Sequence, residues 1–195
     1  MTDRSDERLL SEYREGDVGA FEVLLGRYRI PLFNVVLRSV RDRGRAEEIY
    51  QDVWMRVVER AEDFRGDAKF STWLYAIARN QCIDHQRKMK FRSHASLDST
   101  RAPDGASLGD RLADRAPSTE RLAAARRMQE RIAIAVQELP EEQREVFLLR
   151  QLQGMAFAEV AEVVGVSVPT AKSRMRYALE RLKRALADGE HPDEL

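Results

Sequence analysis

Apolar residues fall three and four positions apart along almost the whole chain, and no segment alternates with a period of two for long enough to argue for a sheet. That periodicity is the strongest constraint on the fold, because each element must then be a helix with one apolar face. The predicted fold class is all-α. One stretch breaks the pattern. Residues 93–118, SHASLDSTRAPDGASLGDRLADRAPS, are rich in Ser, Ala, Asp, Gly and Pro and hold no aromatic residue. Such a segment cannot bury enough apolar surface to offset the entropy lost on ordering, and it reads as a flexible linker. The expected organisation is a small helical domain over residues 1–92, the linker over 93–118, and a second small helical domain over 119–195.

In the first domain the spacing predicts two short helices, 17–29 and 31–41, with Pro31 at the start of the second, where its missing N–H does no harm. A longer helix follows over 44–64. It sets Ile49, Tyr50, Val53, Trp54, Val57, Val58 and Ala61 on one side and Glu47, Glu48, Gln51, Asp52, Arg56 and Glu59 on the other. After the polar turn FRGDAKFS, Ser71 reads as the N-cap of a helix to about Lys90, carrying Trp73, Leu74, Ile77, Ala78 and Ile83 inward. The second domain opens with a helix from Thr119 to about Glu138, broken at Leu139-Pro140 because a residue before proline is pushed out of helical space.

The formal net charge is zero, yet the signs are not evenly spread. Residues 1–25 are acidic, whereas 26–92 carry fifteen cations against nine anions, with Arg79, Arg87, Lys88, Lys90 and Arg92 crowded at the end around Asp84 alone. A second basic run holds Lys172, Arg174, Arg176, Arg181, Lys183 and Arg184 against Glu180. Two basic patches in a neutral chain are the footprint of a nucleic-acid binder, and a solvated helix face accounts for the charge equally well.

Residues 141–187 break that tie. They contain three helical segments in quick succession, EEQREVFLLRQL, FAEVAEVVG and VPTAKSRMRYALERLKRAL. The last two have helix-turn-helix spacing. Ala161 is small where helices cross, Gly165 can take the left-handed conformation that ends a helix, and Ser167 with Pro169 can cap and open the next. With Ala171, Met175, Ala178 and Leu182 as the buried stripe, Thr170, Lys172, Ser173, Arg174, Arg176 and Tyr177 point outward at the first turns of a recognition helix, where a major groove would be met. A second cluster mixes Phe64, Phe70, Trp73 and Tyr75 with Arg79, Asn80, Arg87 and Lys88. Aromatics can stack on unpaired bases while cations follow the backbone, although spacing alone assigns Trp73 to packing.

These segments have a family likeness. FSTWLYAIARNQCIDHQRK resembles the FxTWLxxIARNxxxDxxR signature of extracytoplasmic-function (ECF) sigma factors, the bacterial promoter-specificity subunits of RNA polymerase. AEEIYQDVWMRVVE is similar to the family's region 2.2, and LPEEQREVFLLRQLQGMAFAEVAEVVGVSVPTAKSRMRYALERLKRAL to its region 4. The resemblance covers about residues 10–90 and 119–187. It implies that Glu47, Glu48, Gln51, Asp52 and Arg56 dock on the clamp helices of the largest subunit of core polymerase, with region 4 at the flap. It further implies that Phe64, Asp67, Phe70, Trp73, Arg79, Asn80, Asp84, Arg87 and Lys88 capture and melt the minus-10 element of promoter DNA. Thr170, Lys172, Ser173, Arg174, Arg176 and Tyr177 would read the minus-35 element. The linker would thread polymerase toward the RNA exit path, and an anti-sigma factor would control the protein. Two departures stand out: Pro169-Thr170-Ala171 where the family often has Gly-Thr-Val, and Tyr50 in place of an aliphatic residue.

A stand-alone helix-turn-helix regulator would explain the second domain as well, but not the acidic-faced helix and aromatic-basic helix of the first. An enzyme is the third reading. Cys82 and His85 stand one helical turn apart, yet two ligands do not make a zinc site, and His94 and His191 lie in unanchored segments. No Gly-rich phosphate loop, nucleophile elbow or HExxH occurs, so neither catalytic chemistry, cofactor nor metal is expected. No apolar run reaches the roughly 18 residues of a membrane span. The N-terminus, MTDRSDERLL, is polar and acidic rather than a signal peptide, and the lone Cys82 forms no internal disulfide, so the expected compartment is the cytoplasm.

Overall fold

The computed structural model describes residues 4–93 and 119–188, and all its regular elements are helical. The linker expected at 93–118 therefore lies, except for Ser93, outside the described residues, as do His94 and His191. In order the helices are α1 (Asp6–Arg14), α2 (Val18–Val40), α3 (Arg43–Glu59), a 3-10 turn (Ala61–Asp63), α4 (Phe70–Ser93), α5 (Thr119–Glu138), α6 (Glu141–Phe147) running into a π-helical turn (Leu148–Leu152), α7 (Phe157–Val164) and α8 (Val168–Asp188).

Helices α1–α4 pack as one bundle and α5–α8 as another. In the first, Leu24, Leu32, Val36, Ile49, Val53, Val57, Phe70 and Leu74 are essentially inaccessible to water. Burying side chains of this size contributes roughly 1.5–3 kcal/mol each relative to exposure. In the second, Val146, Leu148, Val160, Ala171 and Ala178 play the same part.

Four local expectations are corrected. α2 is a single helix and Pro31 lies inside it. Proline removes one backbone bond and crowds the preceding turn, but the apolar positions Leu24, Leu32, Val35 and Val36 keep helical phase across it, so burial outweighs the local cost. α1, which the spacing did not predict, inserts Leu9 and Leu10 fully into the core. Its N-cap is Ser5, whose side chain accepts from the Arg8 N–H. Ser71 is not the cap of α4, which starts at Phe70. The Phe70 N–H instead donates to Glu7 Oε1 at 2.9 Å, so α1 supplies the cap from 63 residues away. Burial works to raise the Glu7 carboxyl and is outweighed by hydrogen bonds from the Phe70 backbone and its neighbours, which hold it below the usual range. Val58, expected inward, is exposed.

The two bundles share one continuous core. The seam runs mainly between α4 and α7, with α2 against α6 and its π turn. It encloses a water-sized space of about 20 Å³ lined by Val35, Val36, Ser39, Tyr75, Ala78, Arg79 and Cys82 from the first bundle and Glu145, Leu148, Leu149 and Val163 from the second. Polar groups pair across it. Tyr75 Oη donates to Gln153 Oε1 at 2.6 Å, Gln153 Nε2 reaches Pro31 O at 3.4 Å, and Arg79 Nε lies 3.2 Å from Glu145 Oε2. Lys69 Nζ meets Glu159 Oε1 at 2.7 Å, and the Arg41 guanidinium donates to the Gln137 carbonyl.

Candidate nucleic-acid interface

The helix-turn-helix forms as its spacing predicted. Gly165 ends α7 with φ +69°, its N–H returning to the last turn, and a Cβ there would be strained whatever the space around it. Ser167 Oγ accepts from the Thr170 N–H at 3.2 Å and lies 2.8 Å from Thr170 Oγ1, so both hydroxyls are used in opening α8. Ala171, Met175, Ala178 and Leu182 are buried, while Thr170, Lys172, Ser173, Arg176 and Tyr177 are exposed. Arg176 lies over the Tyr177 ring at 5.0 Å. Arg174 departs from the expected outward set. It follows Ala171 by three residues and precedes Ala178 by four, which puts it at the edge of the buried stripe, and its guanidinium pairs with Glu142 of α6 at 2.8 Å.

On the first bundle, α3 and α4 border an open groove of about 390 Å³. Arg79, Asn80, Asp84 and Arg87 of the expected minus-10 set come together there, joined by Arg56, Arg60, Ile77, Gln81 and Ile83. Lys88 is exposed farther along α4, and Asp67 is exposed in the loop before it. The aromatics behave differently. Phe64, Phe70 and Trp73 form one cluster with ring centroids 5.2–6.3 Å apart. Phe70 has no accessible surface and Phe64 little, so these two rings pack the core and offer no face to a base in this arrangement, while Trp73 is half-buried. Phe70 and Trp73 stand one turn apart on α4, the spacing that signals packing, whereas Phe64 lies off the helix.

The stripe Glu47, Glu48, Gln51, Asp52 and Arg56 is exposed along α3, beside the exposed Met55 and Val58. Arg43–Glu47 and Arg56–Glu59 pairs, at 3.1 and 3.3 Å, are surface pairs of small energetic weight.

Sigma-70 region 2 matches residues 24–92, and sigma-70 region 4 matches residues 129–182. The chain is 32% identical over 184 residues to the ECF RNA polymerase sigma factor SigM of Mycobacterium tuberculosis, covering 94% of this chain and 86% of that one. The chain belongs to the ECF RNA polymerase sigma factors. Another relative is the RNA polymerase sigma-H factor of Pseudomonas aeruginosa, 29% identical over 188 residues, with 95% and 96% of the two chains covered. Among solved structures, CnrH in complex with the cytosolic domain of CnrY aligns over 96% of this chain and 100% of that one, with a TM-score of 0.68 and 23% identity. The sigma factor RpoE in complex with the anti-sigma factor NepR from Bartonella quintana gives 0.68 at 22% identity, covering 87% and 98%. At these identities the structures establish the fold. As an ECF sigma factor the protein binds core RNA polymerase and directs promoter-specific transcription initiation, as its motifs implied.

Several features of this sigma factor were not legible as site residues. Arg60 enters the α3–α4 groove from the end of its helix, and Lys69 reaches the second bundle from the loop before α4. Phe157, at the start of α7, has Arg150 5.0 Å and Lys172 5.9 Å from its ring centroid. An aromatic between two cations distant in sequence gives no periodic signal. Among the described residues no group of three or more His, Cys, Asp or Glu could hold a metal, and no helix is long and apolar enough to cross a membrane.

Proposed function

We propose that this sigma factor meets its partners through three separate faces. The outer stripe of α3, Glu47, Glu48, Gln51, Asp52 and Arg56 with Met55 and Val58, docks on the clamp helices of core polymerase. The α3–α4 groove and the loop before α4 take the minus-10 strand, with Arg79, Asn80, Arg87 and Lys88 following the backbone and Asp67, Asp84 and Trp73 beside the opened bases. Lys172, Ser173, Arg176 and Tyr177 of α8 enter the minus-35 major groove while the same bundle engages the flap. The protein makes no bonds itself; polymerase does, in the cytoplasm. The observation that carries this reading is the capped helix α8, whose apolar stripe is wholly buried and whose opposite face presents cations at its first turns.

An anti-sigma factor is the expected regulator, in line with RpoE held by the anti-sigma factor NepR and CnrH held by the cytosolic domain of CnrY. Arg79 and Lys69 are tied to Glu145 and Glu159 of the second bundle, so minus-10 capture requires the seam to open. Run-off transcription with bacterial core polymerase on a library of promoter fragments, followed by sequencing of RNA 5′ ends, tests the proposal. Start sites that appear only with the protein, downstream of a shared pair of motifs, are the expected result. Specific duplex binding without core, and no such transcripts, would replace this reading with that of a stand-alone regulator.

A further inference from the structure

We infer that Phe157 is a positioning residue for promoter recognition: its ring holds Lys172 and Arg150 in place as a pair of cations presented to DNA phosphates. The inference rests on the proposed placement of Lys172 at the minus-35 element. The Lys172 ammonium lies 5.9 Å and the Arg150 guanidinium 5.0 Å from the centroid of the half-buried Phe157 ring. Both cations are thus within the range at which an aromatic quadrupole attracts positive charge. They come from different elements, Arg150 from the π turn after α6 and Lys172 from α8, and Phe157 opens the helix between them.

Two cations brought to one ring repel each other, and Glu159 offsets part of that repulsion through its attraction to Arg150, while it also accepts from the Ala156 N–H at 2.7 Å and, with the seam closed, pairs with Lys69 at 2.7 Å. Arg150 is fixed further by donating to the Met155 carbonyl at 2.6 Å. Two cations on one aromatic surface with a single carboxylate nearby carry a net positive charge, and they form a place that an external anion completes. Long cationic side chains otherwise lose rotamer freedom when they bind, and the ring removes part of that loss in advance.

The test compares Phe157→Leu, Phe157→Tyr and Lys172→Ala in the full-length chain with core polymerase. Binding is measured on a promoter fragment recovered from the run-off experiment and on the same fragment with its minus-35 element scrambled, between about 50 and 200 mM salt. Phe157→Leu is expected to weaken binding about five- to tenfold on the intact and the scrambled fragment alike, as loss of a phosphate contact does, and to make the salt slope shallower by roughly one unit. Phe157→Tyr, which keeps the ring, retains parent binding and slope, and thermal melting of each variant identifies loss of fold separately. If Lys172→Ala weakens binding and flattens the salt slope while a folded Phe157→Leu does not, or if Phe157→Leu weakens binding with the salt slope unchanged, the positioning role is overturned and the placement of Lys172 stands. If Lys172→Ala is itself neutral, the placement of Lys172 fails and the Phe157 role fails with it.

Discussion

The seam between the bundles can be opened by one truncation, Gln153→Ala, and Cys82 reports the opening. Tyr75 is 2% exposed and its hydroxyl donates to Gln153 Oε1 at 2.6 Å. Cutting the side chain back leaves that buried O–H without a partner at a cost of about 1–3 kcal/mol, and also removes the weaker contact to the Pro31 carbonyl. At about 1.4 kcal/mol per factor of ten, the closed-to-open equilibrium moves toward open by roughly 5- to 100-fold. Cys82 lines the seam space opposite Glu145, Leu148, Leu149 and Val163, and burial pushes its thiol up to about 12. A closed chain therefore holds an unreactive, shielded thiol, whereas an open chain exposes one that ionises near the ordinary value of about 8.5. Where reclosing outpaces modification, the labelling rate with a small thiol reagent is proportional to the open population, so Gln153→Ala should label about 5- to 100-fold faster than the parent. Tyr75→Phe removes the donor and leaves the half-buried Gln153 amide able to turn to water, so its effect should be several-fold smaller. Gln151→Ala, on the exposed side of the same turn, should change nothing. Parent-like labelling of Gln153→Ala, or equal acceleration by Gln151→Ala, would refute the reasoning.

Other expectations follow from single groups. Glu7 has its carboxyl held below the ordinary 4.5, so the stability it contributes is present above that value and lost as pH falls through the lower folded one; Glu7→Gln should flatten the acid limb of thermal melts. Glu145 is shifted the other way, upward by burial against the opposing pull of Arg79, so the closed seam binds its proton more tightly and gains stability as pH falls through the raised value toward 4.5. Glu145→Gln, a mimic of the protonated form, should slow Cys82 labelling at neutral pH. Ser167→Ala removes the cap of α8 and should cost about 0.5–2 kcal/mol in chemical denaturation, with Ser167→Asp restoring most of it. Arg174→Ala, which breaks the contact to Glu142, should alter the salt slope of promoter binding less than Lys172→Ala does.

What could be read in advance divides by the range of the cause. The helix-turn-helix was legible because Ala161, Gly165, Ser167 and the stripe from Ala171 to Leu182 act over a few residues, and the structure satisfies each. α5 likewise runs from Thr119 to Glu138, as the break at Leu139-Pro140 required. Ser71 and Pro31 misled because their local preferences were overruled from a distance, by Glu7 on another helix and by burial on both sides of the proline. α1 was legible in principle, since Ser5 caps it and Leu9, Leu10 and Tyr13 form an apolar face, but nine residues give a weak period. Phe64 and Phe70 show the limit of composition. An aromatic-basic cluster looks the same in sequence whether its rings stack on bases or on each other.

The zero net charge takes on a physical meaning once the seam is seen. Two of the cations expected to meet DNA, Arg79 and Arg174, are held by carboxylates of α6, Glu145 and Glu142, and the exposed Lys69 pairs with Glu159 of α7. The acidic residues of the second bundle thus offset some of the attraction that free basic patches would exert on any duplex, and nonspecific binding driven by phosphate neutralisation is correspondingly weakened. Lys172 and Arg176 remain exposed on α8, and Arg87 and Lys88 on α4. On the proposed placement, these exposed cations meet promoter DNA once core polymerase has brought the two bundles to it. A neutral chain with paired cations is therefore suited to a subunit whose affinity for DNA comes mostly from the assembly it joins.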